Sequence, residues 1–420
     1  MNAVSSVGYG QLLRQNGRFR RLWAAQLISA AGDWFNSVAV IGLVLQLTDS
    51  GLGASLVLIC STLPSFFLIP IAGPLVDRFD RRILMIMANL FAAVVALLFL
   101  LVQSAAMIWL LYVALILLIV SASFFIPASS ASIPNIVSRE ELFSANALSG
   151  ATWGIMVMVG SGLGGIVSTL FGRDSAFVIN AVSFIVAALL IATIDIPSPR
   201  RESYSHPWHD FTEGLHYLRQ HLSSLALVGV KTGWGMAAGS LVLLSVFGEQ
   251  VFKAGDAGIG QLYAARGLGA LVGPFVIHPL VGNDMRKMRN AMWLCFLLCG
   301  SGYCLFAISG WLHLIWLGSV ALVFAHFGGG ANWAISGMLL QISTPDRLRG
   351  RVLAVDNGLY TLTTGISTLG FGLALQTGVE PMWLAVAGGT IFVVYGAFWG
   401  LGTARGPFKV SEQTVVIDAM

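Results

Sequence analysis

Charge is what this chain has least of. Asp, Glu, Lys and Arg make up 10% of its 420 residues, against about 25% in an ordinary soluble domain. So few charges cannot cover a body of this size in water, so lipid must face much of its surface. Cysteine is scarce too. Cys60, Cys295, Cys299 and Cys304 all lie inside apolar runs without metal-ligand spacing, which excludes a disulfide scaffold and leaves them as packing residues. The net charge of +4 is spread over short runs and forms no basic stripe, so no nucleic-acid partner is expected. There is no nucleophile–base pair, phosphate loop or His/Glu/Asp cluster, so neither an enzyme, a cofactor nor a metal is expected. His206, His209, His216 and His221 share no ligand pattern and read as part of a solvated linker helix. Gly267, Gly269 and Gly273 fall within an apolar span with no strand before it, unlike a dinucleotide loop. The basic start of the chain has no small-residue cleavage site, so the first helix is expected to act as its own insertion signal.

What the chain has is apolar runs and glycine. Apolar residues reach 56% and glycines number 48; small residues let membrane helices approach closely. A bilayer core takes about 20 apolar residues per helix. Twelve such helices are expected, near 20–47, 52–75, 83–103, 106–133, 143–171, 175–195, 222–248, 257–281, 288–309, 312–341, 351–376 and 381–403. With the N-terminus in the cytoplasm, 19 of the 23 Lys and Arg residues fall on the inside. Arg173 and Lys253 fall outside, and Lys231 and Arg266 are embedded. That bias follows the positive-inside rule and predicts a multi-pass protein of the cell (inner) membrane with both termini cytoplasmic.

The polar stretch 197–221 divides the chain into a six-helix bundle at 1–196 and a second at 222–420 with a short cytoplasmic tail. The halves echo each other: Pro134, Asn146 and Leu148 follow helix 4 as Pro345, Asn357 and Leu359 follow helix 10. The expected fold is an all-α membrane protein of two pseudo-symmetric six-helix bundles, an architecture of secondary transporters with a midplane site.

Gly73-Pro74-Leu75-Val76-Asp77-Arg78-Phe79-Asp80-Arg81-Arg82 sits between helices 2 and 3. It resembles the signature loop of the major facilitator superfamily, with Asp80 where Gly is usual. The resemblance implies a cytoplasmic latch of Gly73, Asp77, Arg78, Arg81 and Arg82, with Asp77 reaching the Arg cluster or the start of helix 11. Asp356 is expected at the same latch. Three further stretches resemble the exporter branch that holds macrolide efflux pumps and the enterobactin exporter. They are Asn16 to Trp23 with Gly32-Asp33-Trp34, Phe125 to Leu148, and Pro345 to Val352. Gly160, Gly164 and Gly165 in helix 5 are similar to the end of the antiporter motif of drug exporters, with Ser161 in place of Pro. That likeness implies a seal between the halves. The Arg that drug antiporters often carry in helix 4 is absent.

Charges embedded in a bilayer cost at least about 2.5–3.5 kcal/mol each on insertion scales, so each needs a reason. Asp33 lies in the middle of helix 1. In the resembled fold, helices 1, 4, 7 and 10 line the cavity, which would turn Asp33 toward substrate or protons. Arg266 and Lys231 are its expected partners or holders of an anionic substrate group, with snorkelling the alternative for Lys231. His326 is a second candidate proton site, against an ordinary structural role. Trp34, Asn36, Trp234, Asn332 and Trp333 are candidate cavity contacts, against plain packing.

The expected function is proton-coupled efflux, by antiport and alternating access, of an amphipathic or aromatic small molecule of drug or siderophore type. The partners are that substrate, protons and the bilayer, and the chain is expected to act as a monomer. A lysophospholipid transporter is the alternative, and a non-transporting receptor or scaffold ranks below both.

Overall fold

The computed structural model describes residues 8–138, 140–197, 207–282 and 284–405. These form an all-α protein. A short helix, Tyr9–Gln15, precedes helix 1 at Gly17–Thr48. Helix 2 comes in two segments, Gly51–Cys60 and Leu63–Arg78. Helix 3 is Arg81–Leu98, helix 4 Ile108–Ile136, helix 5 Leu142–Phe171 and helix 6 Arg173–Ala192. The stretch between the halves holds a linker helix, Pro207–Gln220. Helix 7 starts as Leu222–Ala237 and continues through a tight turn at Ala238–Leu241, an α turn at Val242–Val246 and a wide turn at Phe247–Val251. Helix 8 is Gly255–Val281, helix 9 Met285–Trp311, helix 10 Ile315–Ser343, helix 11 Asp346–Gln376 and helix 12 Pro381–Arg405. Among the described residues, eleven of the twelve hold a stretch long and apolar enough to span a bilayer. Helix 10 is the twelfth by its 29-residue length and its place in the alternation; His326, Asn332 and its glycines lower its hydropathy.

Short polar residues set the helix starts, as capping requires. Asn16 accepts from the Phe19 amide at 3.0 Å and Ser50 from Gly53 at 3.2 Å. The Asp284 carboxylate accepts from the Arg286 and Lys287 amides at 2.8 and 3.0 Å; the Lys287 amide foremost holds its pKa below the usual carboxylate value. Asp80, the departure from the family loop, is the N-cap of helix 3 and accepts from Ile83 at 3.0 Å.

Where helices break, side chains replace the lost backbone bonds, because lipid cannot. Helix 2 is interrupted before Pro64, which cannot donate to the turn behind it. Ser61 and Thr62 donate there to the Val57 and Leu58 carbonyls, both at 2.7 Å. Helix 7 tightens at Ala238–Leu241. There the Ser367 hydroxyl accepts from the Gly239 amide at 3.0 Å and donates to the Met236 carbonyl at 2.7 Å.

The two bundles meet along two seams, helix 2 on helix 11 and helix 5 on helix 8. The second seam is backbone on backbone: a Cβ at Gly165 would lie 2.5 Å from the Asp256 carbonyl oxygen, and one at Gly260 would lie 2.5 Å from that of Ser161. Of the antiporter-like glycines, Gly165 therefore crosses between halves. Gly160 and Gly164 instead face Trp34 and Phe35 of helix 1 within the first half.

Replacing Asp80 by Ala should lower thermal stability in detergent by about 1 kcal/mol, the worth of a cap. Asp80→Gly, which restores the residue usual in the loop, should cost only a few tenths of that. Equal losses for the two would remove the capping role.

Candidate functional site

A cavity of about 530 Å³ opens inside the first half, among helices 1, 3, 4, 5 and 6. Its aromatic wall is Trp34, Phe125, Trp153 and Phe184; Gln26, Ser29, Asn89, Ser121, Asn146 and Ser149 supply polarity. Much of that polarity is already bound. Gln26 donates to Ser129 at 2.7 Å and accepts from Ser149 at 3.3 Å, and Ser121 donates to the Ala88 carbonyl at 2.7 Å. Asp33 is the only charged residue on this lining. Its polar neighbour is Asn180, whose own amide nitrogen is buried without a hydrogen bond. Beside it Trp34 lies 5.9 Å from the Tyr263 ring of helix 8, centroid to centroid, so the cavity wall touches the second half.

The expected partners of Asp33 sit elsewhere. Lys231 donates to Asp356 at 2.5 Å, with both side chains buried, and lies 4.7 Å from the Trp333 ring centroid. This corrects two expectations: Lys231 neither snorkels nor pairs with Asp33, and Asp356 is bound inside the second half rather than at a latch. The reason is depth. Ten residues into helix 11, Asp356 lies about 15 Å along the axis at 1.5 Å per residue. Lys231 lies nine residues into helix 7, at nearly the same level, so each neutralises the other where an unpaired charge is most costly.

Arg266 carries no ion pair among the described residues. Its guanidinium carbon lies 5.5 Å from the Trp153 ring and 5.7 Å from the Tyr263 ring. His326 is buried in the core of the second half, 3.3 Å from the Tyr303 hydroxyl and against Trp234. Trp234 packs there on Phe392. Asn36 and Asn332 are buried with amide atoms left unpaired, and neither lines the cavity. The expected contribution of helices 7 and 10 is thus no part of this cavity.

The side-chain placements of Gly73, Asp77 and Arg78 lie outside what the structure describes; so do His206 and the His209 side chain. Arg81 donates to the Ala131 carbonyl at 2.8 Å and Arg82 to that of Ala192, placing cations at the ends of helices 4 and 6, where the helix dipole favours them. Next to this cluster the linker helix holds helix 11 through Glu213, which accepts from Arg351 and pairs with Arg347 at 3.7 Å. Asn16 and Glu141, from two separate exporter-like stretches, meet at 3.0 Å.

One contact between the halves has no sequence signal. On the side opposite the Arg-rich loops, Arg173 at the head of helix 6 grips Asp256 at the head of helix 8, through Nε at 2.8 Å and Nη2 at 3.0 Å. Its Nη1 also donates to Gln46 of helix 1. Gln250 donates to Asp49 at 3.0 Å and Ser50 to Gln376 at 2.9 Å. These bonds clasp one half to the other. Arg173 had counted only as an outside charge, because pairing between helix ends 83 residues apart leaves no local pattern.

Comparison with known proteins agrees with this architecture. The family model described as Major Facilitator Superfamily matches residues 22–368. The chain is 25% identical to the uncharacterised MFS-type transporter YfiS of Bacillus subtilis, over 93% of this chain and 94% of that one. It is 24% identical to the enterobactin exporter EntS of Citrobacter koseri, over 93% and 92%. The match to macrolide efflux protein A of Streptococcus pyogenes is 25% over 51% and 54%. Among solved structures, a bacterial homologue of the human lysosomal transporter Spinster, inward-facing and unoccupied, superposes with a TM-score of 0.69 at 13% identity, over 97% of this chain and 99% of that one.

The buried pair yields a prediction. Lys231→Met or Asp356→Asn alone should cost about 3–5 kcal/mol of stability by stranding its partner. Lys231→Met with Asp356→Leu should recover most of it. Thermal unfolding in detergent reads both, and a double variant as unstable as the worse single one would contradict a simple ion pair.

Proposed function

The chain belongs to the major facilitator superfamily, and from that membership we propose that it is a secondary active exporter, exchanging an amphipathic or aromatic small molecule for protons by alternating access. It acts as a monomer in the inner membrane with both termini in the cytoplasm. The halves 1–196 and 222–420 are the moving bodies, joined by the linker 197–221. The observation that carries this reading is Asp33: a carboxylate with no ion-pair partner among the described residues, on the wall of a cavity that also presents the rings of Trp34, Phe125, Trp153 and Phe184. Such a group costs most when ionised in a dry cavity, so binding a proton and exchanging it on the other side of the membrane relieves that cost once per cycle. The aromatic wall suits a flat apolar cargo. Outward traffic is supported by the similarity to proteins named as macrolide and enterobactin exporters.

Alternating access also needs a closed far side in one state and an open one in the other. The Arg173–Asp256 clasp supports a form closed to the outside. Opening must break it, and the glycine seam of helices 5 and 8 is the surface on which the halves would move.

Two measurements test the reading. Asp33→Asn should abolish proton-driven uptake of an aromatic dye by inside-out vesicles while the purified protein keeps its thermal transition; undiminished uptake would sink the coupling role. Spin labels at positions 50 and 376 should report a short distance in the resting protein. Asp256→Asn should add a population longer by several ångströms, and an unchanged distribution in that variant would show that the clasp does not hold the far side shut.

A further inference from the structure

Arg266 has no role in the cycle just described, yet it occupies the costliest place in the protein. It lies eleven residues into helix 8, about 16 Å along the axis at 1.5 Å per residue, which is halfway through a hydrocarbon layer of about 30 Å. The other embedded cation has a carboxylate: Lys231 has Asp356. Arg173, at the membrane edge, has Asp256. Arg266 has none among the described residues, and its Nε is buried without a hydrogen bond.

Its neighbours are rings: Trp153 at 5.5 Å and Tyr263 at 5.7 Å, with Trp34 tilted against Tyr263 at 5.9 Å between centroids. Ring faces offset part of the cost of a buried cation. They do not accept hydrogen bonds from the planar fork of N–H donors, which is shaped for the oxygens of a carboxylate, sulfonate or phosphate. The site is also open. Trp153 lines the cavity and is 51% exposed, and Arg266 itself is only partly buried.

We infer that Arg266 recognises the anionic group of an aromatic acid, with Trp153 and Trp34 holding its ring. This deepens the exporter reading and rests on it for the direction of transport. It also fits the energetics of that direction. An anion leaving while a proton enters moves two charges in the same electrical sense per turnover, so the membrane potential drives both. The phosphate of an anionic lysolipid would offer Arg266 the same chemistry, but the aromatic wall favours a ring over an acyl chain.

The test uses one aromatic frame in three charge states: 2-naphthoate, 2-naphthamide and 2-naphthylmethylammonium. Binding to the purified full chain is read from tryptophan quenching. The wild type should bind naphthoate at least about tenfold more tightly than naphthamide, the usual margin of a charge-assisted pair, and the cation most weakly. Arg266→Gln should erase the naphthoate preference while naphthamide binding stays within about twofold. Arg266→Lys should keep part of the preference, and it carries the comparison if the Gln variant does not fold. Equal binding of acid and amide by the wild type would overturn the inference, as would a preference that survives in Arg266→Gln. So would Arg266-dependent binding of lysophosphatidylglycerol in the absence of any for naphthoate. Proton-driven uptake of naphthamide by wild-type vesicles, measured beside these, keeps the exporter reading separate: it can persist while the acid preference is absent, and fail while that preference is present.

Discussion

A bilayer offers no water to a charge or to a free backbone group, and nearly every polar feature of this protein answers to that constraint. Most cations gather on one side, where the lipid ends. Backbone groups exposed by the breaks in helices 2 and 7 are met by Ser61, Thr62 and Ser367. Lys231 and Asp356, both committed to the interior, satisfy one another. Once these are accounted for, the groups the fold leaves unsatisfied stand out. Among the described residues, Asp33 and Arg266 are embedded charges without a counter-ion, one on each half, and both border the rings of Trp34 and Trp153.

Helices 1 and 7 show how the two halves have parted company. Gln26 and Lys231 each lie nine residues into the first helix of their half. Gln26 bonds to serines of helices 4 and 5, while Lys231 meets Asp356 of helix 11 and Trp333 of helix 10. At that depth the first half has a neutral polar knot and the second an ion pair. The first half keeps an open cavity beside its knot; in the second, Trp234 and Tyr303 pack on His326 in the core.

The twelve helices and their two bundles were legible in the sequence because they follow from apolar length and charge alternation, both local properties. The loop at 73–82 was equally legible, and Asp80 shows why its one departure is tolerated: the residue caps the helix that the loop begins. Which embedded group meets which was not legible. The separations are 125 residues for Lys231 and Asp356 and 83 for Arg173 and Asp256, and helix rotation decides them, which a near-uniform apolar surface does not encode. Asp33 was found by its cost alone. The cavity beside Asp33 lies within the first half, while the rings of Trp234, Tyr303 and Phe392 pack together inside the second.

The seam between helices 5 and 8 carries one more consequence. Around Gly165 and Gly260 the two helices touch through main-chain atoms. Interlocked side chains make a ratchet, since each step forward requires rotamers to be released and reset. Bare backbone has nothing to release. For the alternating-access cycle proposed above, the two bundles would meet there on a smooth bearing, and the resistance to their motion would be concentrated in the few polar bonds at its outer end.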